Sequence, residues 1–201
     1  MARVLAHICC GPCSITTVKT LQDEGVEVTG LFYNPNIHPL QEYLRRREGV
    51  AQAAERLGIP VIFKDNEYDP QQYFREIAWR EANRCFHCYS IRLERTLSIA
   101  KRGRFDAFTS TLLYSKLQKH DVIRALGQDM AGGGAVAFLY RDFRLGWKEG
   151  IETSKAWGLY RQQYCGCLYS ECERYAKELE KASRPGQGQS RENAPHMDAD
   201  E

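Results

Sequence analysis

Apolar and polar positions along this chain keep two rhythms. Val4-Leu5-Ala6-His7-Ile8 is a short apolar run with the length of a buried strand. It ends in Cys9-Cys10-Gly11-Pro12-Cys13-Ser14, read as a turn with Ser14 as a helix N-cap. Ile15, Val18 and Leu21 then recur at helical spacing until Gly25. Val26 to Tyr33 is a second strand, closed by Asn34-Pro35-Asn36. Tyr43, Val50, Ala54 and Leu57 mark a second helix that Gly58 ends, and Pro60 to Phe63 is a third strand. Strand–helix–strand–helix–strand order implies parallel strands joined by right-handed crossovers.

The pattern continues. Asp69-Pro70 opens a helix carrying Tyr73, Phe74 and Ile77, and another helix is predicted from about Tyr89 to Lys101. Phe105 to Thr109 is a fourth strand, His120 to Met130 a helix, and Gly132-Gly133-Gly134 a flexible joint before a fifth strand over Ala135 to Tyr140. Leu168, Cys172, Tyr175 and Leu179 form a last amphipathic helix, with Cys172 on its apolar stripe and hence expected in the core. The predicted fold is α/β: a doubly wound, Rossmann-like sheet of about five parallel strands in one domain over 1–182. Residues 183–201 are expected to be a disordered tail. Such sheets bind ligands beyond the carboxyl ends of their strands, which puts Cys9 and Cys10 at the mouth of a site.

Composition adds little until the cysteines are counted. The 201 residues are 43% hydrophobic and 27% charged, an ordinary globular balance. No apolar run is long enough to span a membrane, and the start does not read as a signal peptide, so a soluble cytoplasmic protein is expected. Of 28 basic and 26 acidic residues the tail holds two and four, so the remainder carries a surplus of four positive charges, which permits a nucleic-acid partner without demanding one. Eight cysteines are more than packing requires. In a reducing compartment, clustered cysteines point to metal ligation or redox chemistry.

They fall in three groups: Cys9, Cys10 and Cys13; Cys85-Phe86-His87-Cys88; and Cys165-Gly166-Cys167 with Cys172 beyond. A Cys-x-x-Cys spacing lets two sulfurs converge on one metal. Adjacent Cys9 and Cys10 chelate a single tetrahedral ion poorly but suit separate irons of a cluster. Cys9, Cys10, Cys85 and Cys88 would therefore satisfy a 4Fe-4S cluster. Zinc also accepts four thiolates and stays open as an occupant. A disulfide between Cys165 and Cys167 would close a very small ring and be easily reduced, which suits electron relay, although metal ligation by the same pair stays open. Cys13 reads as a spare ligand, a second-metal ligand or an activated helix-terminal thiol.

These residues carry a resemblance. His7-Ile8-Cys9-Cys10-Gly11-Pro12-Cys13-Ser14, Phe32-Tyr33-Asn34-Pro35-Asn36-Ile37-His38-Pro39, Glu42-Tyr43 with Arg46, Arg84-Cys85-Phe86-His87-Cys88-Tyr89 and Tyr164-Cys165-Gly166-Cys167 resemble, in the same order, the QueH-type epoxyqueuosine reductases. The resemblance implies a domain similar to the adenine nucleotide alpha-hydrolase (HUP) group. It implies reduction of epoxyqueuosine to queuosine at the wobble position of tRNA. It further implies cluster ligation by Cys9, Cys10, Cys85 and Cys88, a redox-active disulfide at Cys165 and Cys167, and an additional iron held by Cys and Asp, for which Cys13 and Asp69 are the candidates here. An electron donor, unidentified, is required. Cobalamin is not implied, since the chain lacks the ferredoxin-type cysteine run of the unrelated cobalamin-dependent enzyme.

The chemistry matches the inventory. Converting an epoxide to an alkene takes two electrons and two protons, and a dithiol becoming a disulfide releases two of each. His7, His38, His87 and Tyr33 are candidate proton donors, with His87 read chiefly as a neighbour of the cluster. Arg45-Arg46-Arg47, Arg92, Arg95, Lys101, Arg102, Arg104, Lys116, Lys119 and Arg141 could meet phosphates, or lie on solvated helix faces. Tyr33, Tyr89, Tyr114 and Trp147 could stack on bases. Two alternatives compete. One is an ATP-using tRNA-modifying enzyme on the same fold, for which Cys-Cys-Gly-Pro-Cys-Ser makes a poor phosphate loop because Pro12 lacks an amide. The other is a zinc-binding module that docks RNA without catalysis.

Overall fold

Five parallel strands form one sheet in the computed structural model, which describes residues 1–184: β1 (Arg3–His7), β2 (Glu27–Phe32), β3 (Val61–Phe63), β4 (Ala107–Ser110) and β5 (Ala137–Phe138). Their order is β3-β2-β1-β4-β5, so the chain reverses direction across the sheet at β1. Val4 to His7 are buried, as a central strand covered on both faces requires. His7 lies opposite Leu31 of β2 and Ser110 of β4, which aligns the carboxyl ends of all three.

Among the described residues seven α-helices accompany the strands: α1 (Gly11–Asp23), α2 (Leu40–Leu57), α3 (Pro70–Ile77), α4 (Arg84–Arg102), α5 (His120–Ala131), α6 (Trp147–Ala156) and α7 (Leu168–Ala182). α1 packs against α2 and α6, and α4 against α5. Right-handed crossovers from β1 outward in both directions place these two sets on opposite faces of the sheet. The α/β doubly wound fold expected from the sequence is the fold observed.

Several boundaries differ from expectation. The N-cap of α1 is Cys10 rather than Ser14, because Pro12 in the first turn has no amide to lose and lets the helix start at Gly11. Ser14 instead bonds back to the Gly11 carbonyl at 2.7 Å. Gly11 permits the close approach of α1 to α2: a Cβ there would strike the carbonyl of Gly49. α4 begins at Arg84, a full turn before the expected Tyr89, which puts Cys85 and Cys88 on its first turn. Gly132 is a left-handed helix cap (φ 48°), and the Gly132-Gly133-Gly134 run is a bonded turn rather than a free joint. β5 is two residues long. α6 had no counterpart in the sequence reading. Of the expected tail, 185–201 lies outside the described residues. No helix among the described residues is long and apolar enough to cross a membrane.

Candidate functional site

Cys9 and Cys10 follow the central strand directly, at the point where the strand order reverses. Their sulfurs and that of Cys13 are buried and lie within 4.8 Å of one another, a group able to hold a metal ion. Cys10 and Cys13 are paired as a disulfide, the oxidised form of two thiolate ligands. The Cys10 sulfur also accepts from the Cys13 amide at 3.3 Å and from Gln162 Nε2 at 2.9 Å. Thr111, just past β4, accepts from the Cys9 amide (3.1 Å) and donates to the Cys9 sulfur (3.3 Å).

Cys85 and Cys88, three residues apart on the first turn of α4, face one side. With Cys165 and Cys167 they line a narrow crevice that also holds Asn36, Tyr73 and Arg92. A larger cavity of about 250 Å³ opens on the other side, walled by Cys9, Cys13, Tyr114, Trp147, Gln162 and Cys165 among others. Cys165 belongs to both walls. Cys165 and Cys167 are free thiols. Cys9 lines the cavity and Cys85 and Cys88 line the crevice, while the tight group able to hold a single ion is Cys9, Cys10 and Cys13, without Cys85 or Cys88.

The loop bearing Cys165 is held by a buried ion pair. Glu42 and Arg46, one turn apart on α2, bond at 2.7 Å with side-chain exposures of 5% and 2%. Arg46 uses its two remaining nitrogens on the carbonyls of Cys165 and Tyr164, each at 2.9 Å. Tyr160 donates to the second oxygen of Glu42, and Tyr164 donates to the His38 carbonyl at 2.7 Å. Gly166 (φ 121°) lies in the region that side chains rarely adopt, and a Cβ there would sit 3.0 Å from Arg46 Nη1. Across the loop, Gln118 Nε2 donates to the Cys165 sulfur at 3.1 Å, while Tyr89 donates to Gln118 Oε1 at 2.8 Å.

Arg92 is the most unusual charge here. Its side chain is 1% exposed, and it forms no ion pair among the described residues. Nε and Nη2 donate to Asn36 Oδ1 (3.2 and 2.8 Å), and Asn36 Nδ2 donates to the Cys88 sulfur at 3.2 Å. Nη1 has no partner. Burial pushes the Cys9 and Cys85 thiols up and Cys88 up to about 12, while the Arg92 charge opposes the shift at Cys9 and Cys88. Neutral thiols leave a buried guanidinium uncompensated. Thiolates gathered on a metal would compensate it, and the sulfurs of Cys9, Cys10 and Cys88 already receive donors from Thr111, Gln162 and Asn36. The residues therefore fit a thiolate-ligated metal or iron–sulfur group.

Other sequence candidates have different duties. Asp69 is exposed and caps α3 through the Gln72 amide (3.0 Å), on the far side of Tyr73 from the cysteines. His7 is held neutral by burial, its pKa near 3. Its Nε2 faces the Tyr33 carbonyl and Asn34 Oδ1, both at 3.2 Å, so that nitrogen carries the proton, and Nδ1 accepts from Ser110 at 2.8 Å. It ties strand ends together instead of supplying protons. Asn34 joins it by donating to the Ile8 carbonyl. His87 packs edge-on against Phe86 and bonds to no sulfur among the described residues. Cys172 is exposed rather than in the core, because α7 buries no residue fully. Of the proposed phosphate contacts, Arg46 and Arg92 are buried, and Arg47, Arg95 and Arg141 are paired with Asp65, Glu67 and Glu24. Tyr114 stacks on Trp147 at 5.1 Å. Thr111, Gln118 and Gln162 give no signal in the sequence, since neutral side chains carry no mark of the distant sulfur they will meet.

A profile of the family described as Epoxyqueuosine reductase QueH matches residues 4–173. A protein named Epoxyqueuosine reductase QueH from Dehalococcoides mccartyi is 34% identical over 87% of this chain and 96% of its own length. One of the same name from Thermotoga maritima is 34% identical over 92% of this chain and 99% of its own. A third, from Haemophilus influenzae, is 38% identical over 84% and 71%.

Proposed function

The chain belongs to the QueH family of epoxyqueuosine reductases, and from that premise we propose that it reduces epoxyqueuosine to queuosine in tRNA. Cys9, Cys10, Cys85 and Cys88 would hold a 4Fe-4S cluster between the two walls, once the Cys10–Cys13 pair is reduced. Bound there, the cluster would supply one-electron transfer, while a Lewis-acidic iron for the epoxide oxygen would have to be the additional iron, since four thiolates leave no cluster iron open. The observation that carries the reading is the position of Cys165, which lies on the wall shared by the cysteine crevice and the 250 Å³ cavity.

The cavity admits a nucleoside base turned out of an RNA loop, with Trp147 and Tyr114 on its wall. Cys165 and Cys167 lose two electrons and two protons as they join, which balances removal of the epoxide oxygen as water. An external reductant then restores the pair. The Glu42–Arg46 clasp keeps Cys165 in place through its backbone, leaving the sulfur free to react. An additional iron would find Cys13 beside Cys9. Asp69, which caps α3, would be the carboxylate candidate for it.

Anaerobic reconstitution with iron and sulfide, followed by incubation with epoxyqueuosine-bearing tRNA and a reductant, tests the proposal. Nucleosides released by digestion should have lost one oxygen atom by mass. A colourless, zinc-loaded protein that binds RNA and leaves the epoxide intact would overturn it.

A further inference from the structure

Arg92 is a full positive charge enclosed at the junction of three cysteine segments. Among the described residues its one polar side-chain partner is an amide, Asn36, and Nη1 has none. A buried cation without an anion is among the costliest arrangements a fold can carry. The helix that bears it also bears Cys88 one turn earlier, which roots the two side chains on one face of α4. Its field reaches the sulfurs of Cys88, Cys165 and Cys9.

We infer that Arg92, with Asn36 as its link to Cys88, is the fixed counter-charge for the thiolate-ligated group. It favours loading of an anionic set of ligands and makes the bound centre easier to reduce. Arg92 is a positioning and charge-tuning residue and does not touch the substrate. The argument runs from geometry. Asn36 accepts two bonds from the guanidinium with one atom and donates to the ligand sulfur with the other, so charge and ligand are joined through one planar group. A cation beside a metal centre raises its reduction potential, since the added electron meets a positive field.

The inference rests on the cysteines holding a metal or cluster, and its test separates the two. Asn36→Asp changes one atom and gives Arg92 a permanent anion. The apo-protein of this variant should melt at a higher temperature than apo wild type. It should also take up several-fold less iron and sulfide, and the cluster that does form should be reduced at a more negative potential. Arg92→Gln should likewise shift the potential negative, and Arg92→Lys, which keeps the charge, should restore most of the shift. Equal or lower apo melting in Asn36→Asp, together with wild-type loading and an unchanged potential, would overturn the assignment. Should wild type take up no iron or sulfide at all, the proposed cofactor and with it the counter-charge role fail, while the apo melting comparison still shows whether Arg92 is a buried cation without an anion.

Discussion

Gln118 Nε2 donates to the sulfur of Cys165 at 3.1 Å, across 47 residues of sequence. Tyr89 fixes the direction of that bond by donating to the other end of the amide. A donor already aimed at sulfur needs no reorganisation when the sulfur gains negative charge, and a hydrogen bond to a charged group contributes about 1.5–3 kcal/mol. Gln118→Leu should therefore lower kcat by roughly tenfold or more, with little change in KM. Tyr89→Phe should give a smaller loss of the same kind. Steady-state kinetics on modified tRNA reads both, and an unchanged kcat in Gln118→Leu would remove the sulfur contact from the chemistry.

The clasp of Glu42 on Arg46 makes a stability prediction. Both side chains are almost fully enclosed. Removing one partner leaves the other charge buried alone, at a cost of about 3–5 kcal/mol. Glu42→Gln should lower the urea midpoint accordingly and loosen the 160–167 loop, visible as faster alkylation of Cys167. Arg46→Lys should not rescue the loop, because an ammonium lacks the planar fork that meets two consecutive carbonyls.

Gly166 should tolerate no side chain. Its φ of 121° and the 3.0 Å approach of Arg46 to a built Cβ both oppose alanine. Gly166→Ala is expected to cost about 1–3 kcal/mol in thermal unfolding. It should also reduce turnover, as Cys165 is drawn away from Gln118. Cys172→Ser, on the exposed side of α7, should change neither stability by more than about 0.5 kcal/mol nor iron loading, so it serves as the control cysteine.

His120 supplies a pH dependence. Burial and the facing charge of Arg144 lower its pKa, opposed by the Ser115 carbonyl, Asp142 and Asp121. The folded protein holds the ring neutral where the unfolded chain, at a pKa of about 6.5, takes up a proton. Its stabilising contribution is thus complete above about pH 6.5 and is lost as pH falls below that. Melting temperatures at pH 7.5 and 5.5 should differ less in His120→Gln than in wild type. An equal difference in the two proteins would show that His120 does not titrate on unfolding.

How far the sequence was legible depends on what each element packs with. β1, α1 and β2 bury Val, Leu and Ile at regular spacing, and α2 buries Tyr43, Val50, Ala54 and Leu57, so their periodicity is plain. α6 presents Gly150 and Ser154 to the core, small residues that leave no hydrophobic rhythm; a Cβ on Gly150 would strike the Tyr114 hydroxyl. The first turn of α4 was missed because Asn83 gives no side-chain cap and Arg84-Cys85-Phe86-His87 is a weak helical start. The cysteine groups themselves stood out by count and spacing. Their partners did not. Gln162 meets Cys10 across 152 residues through the packing of α6 on α1, and Thr111 meets Cys9 across 102 because β4 lies beside β1. Arg46 and Arg92 look like surface charges in sequence because burial of an arginine depends on partners supplied by distant segments.

The grip of Arg46 on the carbonyls of Tyr164 and Cys165 is blind to the side chains at those positions. Evolution can exchange what the loop displays without loosening how it is fastened. A single anchoring pair on α2 could therefore serve descendants of this scaffold with quite different reactive groups at the same spot.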